Sequence, residues 1–453
     1  MLEPKSDPAA AGIAQRLDSL PVTPLHIAAI ALCTLGLFAD IAEVALSNAL
    51  GAVFLAPPHR VPQRELSLLL ASVFAGGAIG APLLGWFADR YGRRVALQSA
   101  LVVLFFSSLA AAASPDIYWM TAFRFVSGLA IGAYPPLTAA YLADLLPPVR
   151  RGALMMICAA LGFLGAPAII FVIREFAAAP PLGIESWRWA LAAGGIVSAI
   201  AAALFAFVPE SPRWLATKGR QREADAACMR FEASAGVVTA AAAEGPASSQ
   251  APAPAGFRAL AASPAHRGRA AFLAVLYMMG PWATIGFPLL SAAVLIQKGF
   301  QVRESLLFAA LTMFGPTVGN LAAASFIDRI ERRAMLVLCA SIMIVAGLVF
   351  AGSTTLLVLI VAGVVFNLVS AVYSAALSVY GAELFPTALR ASATAGAWGL
   401  SRVVSAFVPV ALLPLLTGYG PLAMFSAITA ALVSLTVLIL TAGPPGLARK
   451  PVA

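Results

Sequence analysis

Charge is missing from long stretches of this chain. Apolar runs of about 20 residues, nearly free of Asp, Glu, Lys and Arg, recur between positions 25 and 442, and short charged segments separate them. A helix of that length crosses the hydrocarbon core of a bilayer. In lipid every backbone N–H and C=O must be paired inside the protein, which leaves helices or closed barrels. The runs are continuous rather than alternating, so an all-α membrane protein is expected. Only 11% of the residues are charged while 61% are hydrophobic; a soluble domain carries roughly twice that charge.

Twelve spans are expected, at 25–52, 65–88, 94–113, 117–141, 152–173, 187–208, 270–296, 303–327, 334–352, 354–380, 392–416 and 420–442. An even number returns both ends to one side. With the amino terminus taken as inside, most of the 29 Lys and Arg residues fall in inner segments, the bias that sets orientation. Both termini are therefore expected in the cytosol, with the chain in a cell inner membrane. The same bias explains the net charge of +9 without a nucleic-acid partner. The expected divisions are a cytosolic tail (1–24), a six-helix bundle (25–215), a cytosolic linker (216–268), a second six-helix bundle (269–442) and a C-terminal tail (443–453). Residues 1–24 lack a basic-then-apolar signal pattern. Positions 233–256 are rich in Ala, Pro, Gly and Ser and read as a flexible spacer. Cys33, Cys158 and Cys339 fall in apolar runs and Cys228 in a basic loop; no pair has metal-ligand spacing.

The two halves repeat. Gly85-Trp-Phe-Ala-Asp89-Arg90-Tyr-Gly92-Arg93-Arg94 answers a segment holding Asp328 and Arg329 at an offset of 239 residues, and the same offset carries Asp144 onto Glu383, Pro147 onto Pro386 and Arg151 onto Arg390. Two parallel halves joined by a linker are the layout of alternating-access carriers, with the solute near mid-membrane. The turn at Asp89–Arg94 needs Gly92 for backbone freedom. Its carboxylate and guanidinium groups are placed to latch one conformation; otherwise the arginines serve only to fix topology.

Gly85-x-x-x-Asp89-Arg90-x-Gly92-Arg93-Arg94 resembles the signature loop of the major facilitator superfamily. Pro209-Glu210-Ser211-Pro212-Arg213-Trp214-Leu215 resembles its sugar-porter-type branch, which includes metabolite:proton symporters and organic ion transporters. Arg124-x-x-x-Gly128-x-x-x-Gly132 and Tyr380-x-x-Glu383-Leu-x-Pro386-Thr-x-x-Arg390 belong to the same pattern. The resemblance implies the major facilitator fold, two pseudo-symmetric six-helix bundles. It implies a cofactor-free and metal-free monomer in the lipid bilayer, moving a small organic solute with protons. It also adds Glu210, Arg213, Asp144, Arg151, Glu383 and Arg390 to the latch. Two departures argue against a sugar. Met279–Phe287 stands where sugar porters carry Gln-Gln, and Gly443-Pro-Pro-Gly446 stands in place of Pro-Glu-Thr.

Four ionisable residues lie inside spans: Asp40, Glu43, Arg124 and Arg402. Each costs roughly 2.5–3.5 kcal/mol at mid-bilayer, so function is the first reading. Asp40 and Glu43, at i,i+3, share a helix face with Ser47. Two close carboxylates in low dielectric do not both ionise cheaply, which suits a proton carrier; the alternative is a structural pair held by neighbouring donors. The resemblance agrees, since related metabolite:proton symporters carry an acidic pair at this spacing. Arg402 cannot discharge and needs an anion, either the solute or Asp40 or Glu43. In the organic-ion branch a basic residue at this position goes with anion carriers. Arg124 divides between structure and the proton path. Asn367, Ser370, Tyr373 and Ser374, with Tyr277, Trp282 and Tyr134, line the cavity by helical spacing. Tyr134 precedes Pro135-Pro136, which break the hydrogen-bond ladder.

No Gly-Lys-Ser/Thr phosphate loop, His-x-x-x-His pair or Gly-x-Ser-x-Gly turn occurs, so an ATP-driven pump and an enzyme are set aside. Proton-coupled symport of a carboxylate or aromatic acid is the leading expectation. Sugar uptake, drug:proton exchange and a transporter-like sensor are the alternatives.

Overall fold

A computed structural model describes residues 8–178, 180–236, 264–326, 330–385 and 387–444. Among them every regular element is a helix. Twelve helices are long and apolar enough to cross a membrane: Pro24–Leu55, Gln63–Tyr91, Arg93–Ala112, Ile117–Leu145, Pro148–Ala177, Ser186–Phe207, His266–Gln297, Val302–Ser325, Arg332–Gly352, Leu356–Glu383, Ala393–Tyr419 and Pro421–Ala442. They are called spans 1 to 12 below, and each coincides with one expected span.

Spans 4, 5, 7 and 8 are broken near Ala133, Leu164, Ile285 and Phe314. A proline follows each break within a few residues: Pro135, Pro167, Pro288 and Pro316. A proline ring offers no N–H and clashes with the carbonyl four residues back, which favours a break, although Pro82, Pro281, Pro409 and Pro414 sit inside continuous helices.

The helix pairings repeat between halves. Spans 2 and 4, 3 and 6, and 1 and 5 pack together, and so do their counterparts 8 and 10, 9 and 12, and 7 and 11. Spans 2 and 4 approach closely because Gly76 and Gly77 face Gly128 and Gly132 and Gly80 lies against Leu129, where an added Cβ would crowd the backbone. The halves meet through spans 1 and 7, 2 and 11, and 5 and 8. The two faces of the molecule differ. Positions 41–55 of span 1 and 279–295 of span 7 contain no exposed residue, whereas Ile27, Ala31, Val275 and Met278 are exposed toward the face that carries the chain ends, the terminal face. On the opposite face Asn48 Nδ2 donates to Ser291 Oγ (3.3 Å) and Asn48 Oδ1 accepts from the Ala292 N–H (3.2 Å). There Thr417 Oγ1 also donates to Gln63 Oε1 (2.7 Å). The two halves are thus in hydrogen-bonded contact on the opposite face.

The amino-terminal tail is docked. A helix, Pro8–Ser19, buries Ile13 and Leu17, and Leu20 follows on the same face. Arg16 donates to both Glu232 oxygens (2.8 and 2.9 Å) and to Asp225 (2.9 Å). The expected linker begins as structure, with helices Pro212–Thr217 and Gln221–Ser234. Cys228 therefore sits buried in a helix, not in a loop. Most of the expected flexible spacer, positions 237–256, lies outside the described residues.

Candidate solute and proton site

Of the four intramembrane charges, Glu43 and Arg124 form an ion pair and Asp40 and Arg402 do not, a division that sequence spacing did not show. Glu43 and Arg124 are 2% and 0% exposed. Arg124 Nη1 donates to Glu43 Oε1 at 2.5 Å, and Nη2 donates to the Glu43 carbonyl at 3.1 Å and to Ser47 Oγ. This is a closed internal pair: the helix stripe Glu43–Ser47 is what Arg124 reads. A buried cation held this way is matched by charge and hydrogen bonds together.

Asp40, three residues earlier, is also buried, but its Oδ1 has no hydrogen-bond partner. Arg402 of span 11 and Glu43 on its own span are within electrostatic reach of it, and neither makes an ion pair with it among the described residues. Arg402 in turn has no ion pair or hydrogen bond among the described residues. Its guanidinium lies 4.7 Å from the centre of the Trp398 ring, one helical turn earlier, a cation–π geometry. Trp398 meets Tyr277 edge-on at 6.5 Å, and its indole N–H is buried without an acceptor. Sequence reasoning missed Trp398; an aromatic residue four before an intramembrane arginine was the available signal.

Two of the softer candidates, Tyr134 and Tyr277, connect to these groups, while Asn367 lies against Gly315 of span 8. Tyr134 begins the second half of span 4 with its hydroxyl against Gly36 of span 1, and it lies within electrostatic reach of Asp40. Tyr373 is its repeat mate at the 239-residue offset and lies against Gly280 of span 7. Both hydroxyls are buried and unpartnered, as are both amide atoms of Asn367. Ser370 is buried, Trp282 half-buried and Ser374 exposed. A buried polar atom without a partner costs roughly 1–3 kcal/mol, so each of these groups is available to a polar guest. Among the described residues no group of His, Cys, Asp and Glu is arranged to hold a metal.

The signature loop lies about half a helix away, at the terminal face. Gly92 has φ 122°, and a Cβ there would meet the Glu210 carboxylate. That carboxylate accepts from the Arg94 N–H at 2.9 Å. Asp89 pairs with Arg93, which lies 4.0 Å from Asp144. Arg213 donates to the Asp144 carbonyl (2.9 Å) and to Asp18 of the tail helix (2.6 Å), and Asp18 lies 3.6 Å from Arg151. Arg90 stacks on Trp86 and Tyr91. Gly85 has open space around its α-carbon. In the second half Arg332 reaches Glu383 at 3.2 Å, repeating the Arg93–Asp144 pair at the same offset. Tyr141 to the Pro209 carbonyl (2.6 Å) recurs as Tyr380 to the Pro444 carbonyl (3.0 Å). Asp328, Arg329 and the Arg390 side chain lie outside the described residues. Among the described residues each of these pairs lies within one half.

Outside the membrane, burial pushes the Cys228 thiol up to about 11, with Glu232 adding to the shift and Arg16 opposing it.

A family profile described as "Sugar (and other) transporter" matches residues 39–445. The chain is 28% identical over 443 residues to the putative metabolite transport protein YyaJ of Bacillus subtilis, covering 95% of each. It is 22% identical to the niacin transporter NiaP of Acinetobacter baylyi, covering 95% of this chain and 97% of that one. It superposes on the partially occluded inward-open xylose transporter XylE of E. coli with a TM-score of 0.72 at 19% identity, covering 93% and 98% of the two chains. The chain belongs to the sugar (and other) transporter family: it is a multi-pass membrane transporter with the major facilitator fold.

Proposed function

We propose that this protein is a proton-coupled symporter of a small organic carboxylate, working by alternating access in a cell inner membrane with both termini in the cytosol. The observation that carries the reading is Arg402, which stacks on Trp398 without an ion partner and has the equally unpartnered Asp40 within reach. Arg402 stays cationic in every state. A carboxylate meets its planar fork with two parallel, charge-assisted hydrogen bonds. When a solute carboxylate takes that place, Asp40 loses its counter-charge, and in a low-dielectric site the cheaper form of a lone carboxyl is the protonated one. Solute and proton then enter together. On release, Asp40 returns to Arg402. Glu43 and Arg124 remain a closed pair one turn along the same face. The niacin transporter among the relatives supports an acid as solute, and the arabinose-proton symporter of Bacillus subtilis, 32% identical over 182 residues, supports coupling to protons.

A neutral sugar is the second reading. It is favoured by the unpartnered Asn367, Tyr373 and Trp398 groups, which suit hydroxyls. Competition for uptake separates the two. Under the carboxylate reading benzoate and nicotinate compete, xylose does not, and Arg402→Lys loses most affinity, because a point charge does not replace a planar fork. Competition by xylose with carboxylates inert, or full affinity in Arg402→Lys, refutes it.

A further inference from the structure

We infer that the docked amino-terminal tail is a clasp that holds the carrier in the conformation seen here, with the halves joined on the opposite face, and that Asp18 is the residue through which it acts. The inference concerns switching alone, and its test needs no solute. Spans 4 and 5 are each broken, which leaves a separate terminal-side half-helix in each, Tyr134–Leu145 and Pro148–Gly162. At a break the backbone angles are free to change, and a few such residues suffice for a hinge. The end of a half-helix is where a swing is largest. The tail grips both ends.

The grip has a fixed base and a working arm. Ile13, Leu17 and Leu20 are buried in the same cluster as Trp214, Leu215 and Phe231. Arg16 then fixes the tail to the helix Gln221–Ser234 through its bidentate pair with Glu232 and its bond to Asp225. Held there, the tail carries Asp18 to Arg213 (2.6 Å) and to within 3.6 Å of Arg151. Arg151 lies in the first turn of span 5, and its fork otherwise donates to the Leu146 carbonyl. Arg213 donates its Nε–H to the Asp144 carbonyl at the end of span 4 (2.9 Å), while the Asp144 carboxylate accepts from Ser211. The carboxylate that meets the Arg213 fork is therefore Asp18. His26 completes the hold on span 4. Its Nδ1 accepts from the Thr23 N–H (3.1 Å), which places the ring proton on Nε2, and Nε2 donates to the Leu145 carbonyl (3.1 Å). Its ring lies 4.6 Å from that of Phe231, and the Leu25 N–H donates to Ser234 Oγ (3.0 Å). A contact favours one conformation only by as much as it is stronger there than in the alternative. A swing of either half-helix carries Arg151 or the Asp144 and Leu145 carbonyls away from a tail that Arg16 holds elsewhere, so these bonds belong to the present conformation. Each partly exposed pair is modest alone, and the clasp sums several.

The test uses the full-length protein in lipid nanodiscs with a Ser291→Cys reporter. Ser291 is fully buried where the halves meet on the opposite face, so its substitute reacts with N-ethylmaleimide only when that face opens. The native cysteines are buried, and peptide mass spectrometry locates each label. In Asp18→Asn the reporter is expected to label several-fold faster than in the reporter parent, while Cys228, beside Glu232, stays unlabelled because Arg16 keeps the tail docked. Asp18→Glu should keep the parent rate. Asp18→Asn should add nothing further in a background of Arg151→Gln with Arg213→Gln. Deletion of residues 1–20 should label both the reporter and Cys228. A reporter that labels at the parent rate or slower in Asp18→Asn overturns the inference. So does a deletion that exposes Cys228 without speeding the reporter, which would make the tail a cover and nothing more.

Discussion

Replacing Arg124 with Leu isolates the buried pair. The substitution removes three hydrogen bonds and leaves Glu43, 2% exposed, without a cation. Breaking one partner of a buried ion pair costs about 3–5 kcal/mol. The loss has a ceiling, because Glu43 escapes by taking a proton. Protonating an ordinary glutamate at pH 7 costs about 3.7 kcal/mol, from a reference value near 4.3 and about 1.4 kcal/mol per unit. At pH 5 the same step costs about 1 kcal/mol. The folded variant then binds a proton that the unfolded chain does not, so its stability rises as pH falls between pH 7 and pH 5. At about 2–4 °C per kcal/mol, melting of the detergent-purified variant should fall by on the order of 10 °C at pH 7 and by a few degrees at pH 5, relative to wild type at each pH. The double variant Arg124→Leu with Glu43→Gln removes both charges and should recover most of the loss. A single variant that melts with wild type, or a deficit that does not shrink with acid, refutes the reasoning.

Asp89→Asn removes an ion pair at the terminal face, far from the Arg402 centre, and is expected to slow turnover several-fold while equilibrium nicotinate binding is unchanged; lost binding with normal turnover contradicts this. Gly92→Ala forces a Cβ into the Glu210 carboxylate at a φ of 122° and should destabilise by at least 1 kcal/mol in a thermal melt. Trp398→Phe keeps a ring beneath Arg402 but deletes the indole donor, so a moderate loss of nicotinate affinity is expected, smaller than for Trp398→Leu. Cys228 should resist iodoacetamide at pH 8, since burial has pushed its thiol up to about 11, and should become reactive when residues 1–20 are deleted; labelling that is rapid before deletion contradicts the docked tail.

The fold was legible because lipid leaves so few options. Uncharged runs marked the helices, Pro135-Pro136 marked the break in span 4, and the offset from Asp144 to Glu383 marked the two halves. The Arg93–Asp144 and Arg332–Glu383 pairs recur at that same offset in space. The site was legible only in part. Helical spacing placed Asp40 and Glu43 on one face, yet Glu43 finds its partner on span 4 while Asp40 Oδ1 has none, and spacing along span 1 carries no information about which acid meets an arginine. Trp398 was missed for a similar reason: its meaning lies in Arg402 one turn on and in Tyr277 on another span. The tail was read as a simple extension because its three buried apolar residues, Ile13, Leu17 and Leu20, are too few to announce a docking face without the helix of Asp225 and Glu232 that Arg16 grips.

The central claim is that Asp40 and the solute carboxylate share one arginine. Proton uptake on binding measures this directly. Nicotinate is added to the purified protein in weakly buffered solution at pH 7 with a pH-indicating dye, and binding is followed in parallel by calorimetry. The account expects about one proton taken up per nicotinate bound by wild type, and none by Asp40→Asn with binding retained. Nicotinate binding by wild type without proton uptake, or equal uptake by Asp40→Asn, would contradict it.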